Sequence, residues 1–157
     1  MKNKVYGKNI NFLELEFDFD ENIDFLKYEN SVIVPIFEEK LVMYFDSINQ
    51  SWEFPKSKSN ENENIIQSSI REIFEECGAI AEYIKPIGHY KVLEQDSRKK
   101  FLIFIAKIAI FEPRPRWSTD DLVKLFEILP EKLSDENETL YKAIIKNIKA
   151  KCVHILL

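Results

Sequence analysis

Apolar and polar positions divide the chain into stretches with strand-like and helix-like periods. Residues 31–37 and 40–45 are β-branched and aromatic runs separated only by Glu38-Glu39, the spacing of a hairpin. Pro35 interrupts the first run; lacking an N–H for a ladder, it predicts an edge position or a bulge. Residues 46–50 make a polar turn. Between Asn60 and Cys77 the period becomes helical, with Ile66, Ile70, Ile73, Phe74 and Cys77 on one stripe and Glu72, Glu75 and Glu76 opposite. Asn60 followed by Glu63 has the spacing of a capping box, and Gly78 is a helix stop.

Further along, residues 81–94 and 101–111 read as two strands joined by a charged tip at 95–100. Residues 101–106 are nearly all apolar, as in a strand covered on both faces. Residues 112–121 hold Pro113 and Pro115 and form a long loop, 122–129 a short strand, and 136–149 a second helix striped by Leu140, Ile144, Ile145 and Ile148. Residues 11–19 alternate and add an edge strand. Strands alternating with two helices predict a mixed sheet between helices.

Composition narrows the class. The 157 residues fit one domain, 1–157, able to bury roughly 70% of the surface its unfolded chain exposes. There is no internal repeat and no long apolar run, and 45% of residues are hydrophobic, so a soluble globular protein without a membrane partner is expected. Met1-Lys2-Asn3-Lys4 is basic but is not followed by a signal-peptide apolar segment, which makes the cytoplasm the expected location. A net charge of −5 argues against a surface that coats nucleic acid, and leaves room for a local basic patch around one phosphate chain. Cys77 and Cys152 lack zinc-site or disulfide spacing, Cys77 being a core position, and His89 and His154 stand alone.

The chemistry concentrates in Arg71-Glu72-Ile73-Phe74-Glu75-Glu76-Cys77-Gly78-Ala79. Glu72, Glu75 and Glu76 lie three and four residues apart on one helical face, where each close pair costs roughly 0.2–0.5 kcal/mol. A hard divalent cation, which takes oxygen ligands, removes that cost. Such a face alone reads as a solvated acidic surface; the residues upstream change the reading. Trp52-Glu53-Phe54-Pro55 leads into Ser57, and Glu63 stands eight positions before Arg71.

Ser57, Glu63, Arg71, Glu72, Ile73, Glu75, Glu76, Gly78 and Ala79 together resemble the Nudix box, G-x5-E-x7-R-E-U-x-E-E-x-G-U with U aliphatic, over 23 residues. Ser57 is the clear break, standing where the pattern has glycine. The resemblance implies an α/β/α sandwich with a mixed sheet and metal-dependent hydrolysis of a diphosphate linkage in a nucleotide. It implies that Glu72, Glu75 and Glu76 bind Mg²⁺ or Mn²⁺, that one of them also orients the water, and that the Lys56 backbone carbonyl joins the metal. Glu63 and Arg71 are, on the same ground, a structural ion pair. A further ligand comes from a late loop, where Asp120 is the candidate and Asp121 stands beside it.

Residues 87–93 and 129–134 bring the resemblance closest to MutT-like proteins, including the bacterial branch acting on 8-oxo-dGTP and on triphosphorylated RNA 5′ ends. Asn137 falls near the position where those proteins read a purine edge, as an exposed residue in the first turn of its helix. Arg98, Lys99 and Lys100 at the hairpin tip, with Arg114 and Arg116 in the loop, could meet phosphates, but a solvated tip and loop are the expected account of most of them. The Lys56-Ser57 pair replaces the family's Gly-Gly, which predicts strain of roughly 1–2 kcal/mol at Ser57 and poorer metal geometry. The competing reading is a catalytically weak domain that senses a nucleotide or binds a partner; the retained carboxylates favour the enzyme.

Overall fold

The computed structural model describes residues 2–7, 10–18, 23–94, 97–113 and 122–151. In chain order the strands are Lys2–Gly7 (β1), Ile10–Phe17 (β2), Asn30–Phe37 (β3), Lys40–Asp46 (β4), Ser51–Glu53 (β5), Lys56–Lys58 (β6), Ala79–Glu94 (β7), Ser97–Phe111 (β8) and Leu122–Phe126 (β9). The helices are Ile65–Cys77 (α1) and Asp135–Lys151 (α2), with one 3₁₀ turn at Phe25–Lys27. No helix among the described residues is long and apolar enough to cross a membrane.

The sheet runs β1-β2-β7-β8-β3-β4-β5, with β6 beside β3 and β9 beside β4. The β3–β8 pair is parallel and the other described pairs are antiparallel, so the expected mixed sheet is formed. Its two faces carry separate cores. Ile65, Ile73 and Cys77 of α1 pack with Ile33, Val42, Leu102 and Phe104, while Leu140, Tyr141, Ile144, Ile145 and Ile148 of α2 pack with Val32, Val34, Ile103 and Ile105. Alternating residues of β3 and β8 therefore serve opposite helices, which is why residues 101–106 are apolar throughout. The architecture is the α/β/α sandwich.

Four expectations are corrected. Pro35 is on an interior strand, paired to Ala106 of β8. Ile33, two residues earlier, donates away from β8 to the Pro55 carbonyl at 2.9 Å, so the nitrogen of Pro35 lies on that same flank. There the β3–β4 ladder stops after Ile36↔Leu41, and no N–H is needed. The hairpin itself turns through Glu38 and Glu39, both left-handed at φ 49° and 66°. Second, β2 is not the edge: β1 covers it on one side and β7 pairs with it on the other. At the β2–β7 crossing a Cβ on Gly88 would lie 2.5 Å from the Glu16 carbonyl oxygen, so only glycine fits.

Third, helix α1 starts later than its periodicity suggests. Asn64 is its cap: the side chain accepts from Gln67 N at 2.9 Å, and Asn64 N donates to the Gln67 side chain at 2.9 Å. Asn60 and Glu63 do bond, Asn60 N to Glu63 Oε1 at 3.1 Å, but they close a turn ahead of the helix. Gly78 ends α1 at φ 64°, the left-handed position that favours glycine. The buried stripe is accordingly Ile65, Ser68, Ser69, Ile73 and Cys77, with Ile70 exposed. Fourth, Arg98, Lys99 and Lys100 are not a tip; they lie in β8, paired with Leu93, Val92 and Lys91.

Candidate active site

Arg71 organises the acidic face of α1. Its Nε and Nη2 donate to Glu63 Oε2 and Oε1 at 2.9 and 3.0 Å, a two-pronged pair that ties the turn before α1 to the helix. Nη1 donates to Glu72 Oε1 at 2.9 Å and to Glu75 Oε2 at 3.3 Å, and Nη2 reaches the Lys58 carbonyl at 3.4 Å. One guanidinium thus joins β6, the turn and three carboxylates. The hydrogen bond from Arg71 holds the Glu63 carboxyl below its usual range, and Glu63 raises the guanidinium in return.

Glu72 behaves differently. Burial, and then the like charge of Glu75, push its carboxyl up despite the Arg71 contact. A carboxylate with this conflict gains from a nearby cation, and the donor set on this face is all oxygen, the chemistry of a hard divalent ion. Glu76 lies half-buried one helical turn beyond Glu72. Among the described residues no group of three acidic, histidine or cysteine side chains is placed to hold a metal ion, and Arg71 engages Glu63, Glu72 and Glu75. In donor chemistry the residues fit the metal. Asp120 and Asp121, with Arg114, Arg116, Cys152 and His154, lie outside the described residues.

The strain expected at Ser57 is absent. Ser57 sits in β6, paired with Ser31 of β3, and is not among the described residues with positive φ. Its side chain is buried, with Oγ 2.6 Å from Ser31 Oγ, 3.1 Å from Ser68 Oγ and 3.2 Å from Ser69 Oγ. Ser31 and Ser69 also meet at 2.6 Å, and the Ser68 and Ser69 hydroxyls donate to the Ile65 carbonyl. The added hydroxyl is therefore satisfied by three others, which remove the penalty of burying it.

Lys56, the neighbouring departure, points the other way. Its Nζ donates to Asn137 Oδ1 at 3.0 Å, and Asn137 Nδ2 donates to Glu53 Oε2 at 2.8 Å. Glu53 is buried and also accepts from Tyr141 at 2.7 Å and from Ser51 at 2.7 Å. Burial, then the Glu53 charge, push the Tyr141 phenol well above its usual value, which keeps it a donor. Asn137 is thus not the exposed residue expected: it is 6% exposed, with both ends of its amide engaged. Strand β6 is pinned on one side by serines of the α1 face and on the other by α2.

Sequence reasoning missed Glu53, Tyr141, Ser31, Ser68 and Ser69. Ser69 did leave a signal, since it stands four residues from both Ile65 and Ile73 on the buried stripe. His89 lies in β7, 3.6 Å from Glu16, and burial chiefly lowers its imidazole pKa. Cys77 is buried, as its stripe predicts.

No protein-family model matches the chain. It is 33% identical over 85 residues to a Bacillus subtilis (strain 168) protein provisionally named 8-oxo-dGTP diphosphatase YtkD; the match spans 54% of this chain and 54% of that one, about half of each. A crystal structure of a mutant of the Bacillus subtilis pyrophosphohydrolase BsRppH superposes with a TM-score of 0.77 at 22% identity, over 95% of this chain and 99% of that one. A Nudix-family hydrolase from Clostridium perfringens superposes with a TM-score of 0.59 at 14% identity, over 78% of this chain and 97% of that one.

Proposed function

We propose that this chain, which has the Nudix fold and resembles MutT-like Nudix proteins in its box, is a metal-dependent pyrophosphohydrolase. Its substrate in this reading is a nucleoside triphosphate or related nucleotide, an oxidised purine deoxynucleotide or a triphosphorylated RNA 5′ end. The observation that carries the reading is the α1 face, where Arg71 fixes Glu72 and Glu75 side by side although burial and the charge of Glu75 oppose the ionisation of Glu72. The provisional name of the YtkD relative and the pyrophosphohydrolase name of BsRppH support the same chemistry.

Glu72, Glu75 and Glu76, with the Lys56 carbonyl and Asp120, would hold Mg²⁺ or Mn²⁺, which when bound offsets phosphate charge and lowers the pKa of a water. The protein's own contribution is position. Glu63 and Arg71 lock the turn to α1, and the serines with Asn137 hold β6 and hence the Lys56 backbone. In this reading Asn137 addresses a purine edge by exchanging its Lys56 partner for the base, which places guanine forms ahead of pyrimidines.

Purified protein with Mg²⁺ or Mn²⁺, offered ordinary and oxidised nucleoside triphosphates and 5′-triphosphorylated RNA, is expected to release a phosphate or diphosphate product. Glu72→Gln, Glu75→Gln and Glu76→Gln should each lower turnover at least about tenfold, about 1.4 kcal/mol in barrier, with the fold intact. That no three acidic side chains among the described residues are placed to hold a metal ion favours one second reading, a catalytically weak domain that senses a nucleotide or binds a partner. Tight nucleotide binding without turnover under every metal would select it.

A further inference from the structure

A second charged feature lies beside the box, and the proposed hydrolysis does not require it. A cavity of about 350 Å³ is lined by Lys27, Lys58, Arg98, Lys99 and Lys100, with Glu29 as the one carboxylate in its wall. Five cations around one acid are unexpected in a chain of net charge −5. Among the described residues no ion pair is formed by Lys27, Lys58, Arg98 or Lys100, which leaves their charge open to an anion from solution. A local field of this sign concentrates anions against the repulsion of the whole molecule.

Three elements remote in sequence build the cavity: the segment after the 3₁₀ turn, the end of β6 and the start of β8. Backbone bonds fix them together, Ser59 N donating to the Glu29 carbonyl at 2.8 Å and Asn30 pairing with both Lys58 and Phe101. Lys58 belongs to both sites, because its carbonyl accepts from Arg71 at 3.4 Å. Tyr28, also in the wall, adds an aromatic ring, half-buried and 6.0 Å from the His89 ring. In the proposed reading the phosphates of a free nucleotide are taken up at the α1 face, so cations further out meet phosphates only where a chain continues beyond its first nucleotide, as in a single nucleic-acid strand.

We propose that this cavity binds the backbone phosphates of a single-stranded nucleic acid whose 5′ end is presented to the box. The inference rests on the proposed hydrolase reading for the role of that end, but strand binding itself does not depend on hydrolysis. A test separates the two. Binding of a 3′-labelled RNA oligomer of about ten nucleotides, the scale of one single-strand site, is measured by anisotropy with a 5′-hydroxyl and with a 5′-triphosphate. The Arg98→Ala/Lys100→Ala double variant should weaken both at least about tenfold and lower the salt slope of log K by about 1.4, or 0.7 per lost phosphate contact. Turnover of a free nucleoside triphosphate should stay within about twofold of the parent.

Lys27→Glu, on a different element, should weaken the 5′-hydroxyl oligomer in the same sense. Unchanged oligomer binding in both variants would overturn the proposal even if the protein hydrolyses nucleotides. Parallel loss of free-nucleotide turnover would assign the cations to the triphosphate instead. Displacement of the oligomer by inorganic tripolyphosphate at equal phosphate concentration would mean a free polyphosphate site and would also overturn it. Retained strand binding in a protein without hydrolytic activity would uphold the cavity and remove only the hydrolase reading.

Discussion

Glu53 and Glu72 are both withdrawn from water, yet they are held in opposite ways. Glu53, 6% exposed, receives hydrogen bonds from Ser51, Asn137 and Tyr141, all neutral donors within 2.8 Å. Glu72, its side chain 18% exposed, has the Arg71 guanidinium on one side and the charge of Glu75 on the other, and its carboxyl is pushed up. Burial by itself therefore does not decide whether a carboxylate is satisfied. The more buried group is satisfied and ties β5 to α2; the less buried one is in conflict with its neighbours, which a bound cation would relieve.

The comparison can be broken most forcefully at Glu53. Glu53→Ala leaves three buried donors without an acceptor and is expected to cost about 3 kcal/mol in denaturant unfolding; a neutral result would make Glu53 dispensable and the contrast false. Ser57→Gly should cost about 1–2 kcal/mol, since it removes a shared buried hydroxyl and frees the unfolded chain without relieving any strain. A gain in stability or in metal affinity on that change would restore the strain reading of the Lys56-Ser57 pair.

Arg71→Ala separates Glu63 from the helix and leaves Glu72 and Glu75 facing each other. Stability should fall by about 1 kcal/mol, the scale of a partly exposed ion pair, together with activity. Lost activity at an unchanged melting temperature would instead assign Arg71 to phosphate.

The smallest effects are those of pH on the metal-free protein. Glu72 has a folded pKa raised above 4.5, so its contribution is fully present below pH 4.5 and is lost as pH rises through the folded value. Glu72→Gln should thus stabilise the metal-free protein at neutral pH relative to its effect in acid. Glu63 has the opposite sign: its lowered pKa gives stability present above pH 4.5 and lost as pH falls through the folded value. Melting curves of both Gln variants at pH 4 and 7 should diverge in opposite directions, and parallel curves would dissolve the distinction between the two groups.

The strands near 11–19, 31–45, 81–111 and 122–129, the two helices, the Glu38-Glu39 turn, the α2 stripe and the acidic face of α1 are legible in the sequence, because each depends on period and local chemistry over a few residues; β1, β5 and β6 are not. The box is legible for the same reason, since helical spacing alone puts Glu72, Glu75 and Glu76 on one side. Where Pro35 sits in the sheet, which strand forms the edge, and whether Ser57 is strained were settled by neighbours far along the chain. Ser31, Ser68 and Ser69 reach Ser57 from other elements, and Glu53 meets Asn137 and Tyr141 across more than eighty positions. A buried polar group is tolerated only where another element supplies its hydrogen bond, and no local pattern records that partner. The basic cavity has the same origin, for Lys27, Lys58 and Lys100 are unremarkable singly and become a site only when β6 and β8 flank the start of β3.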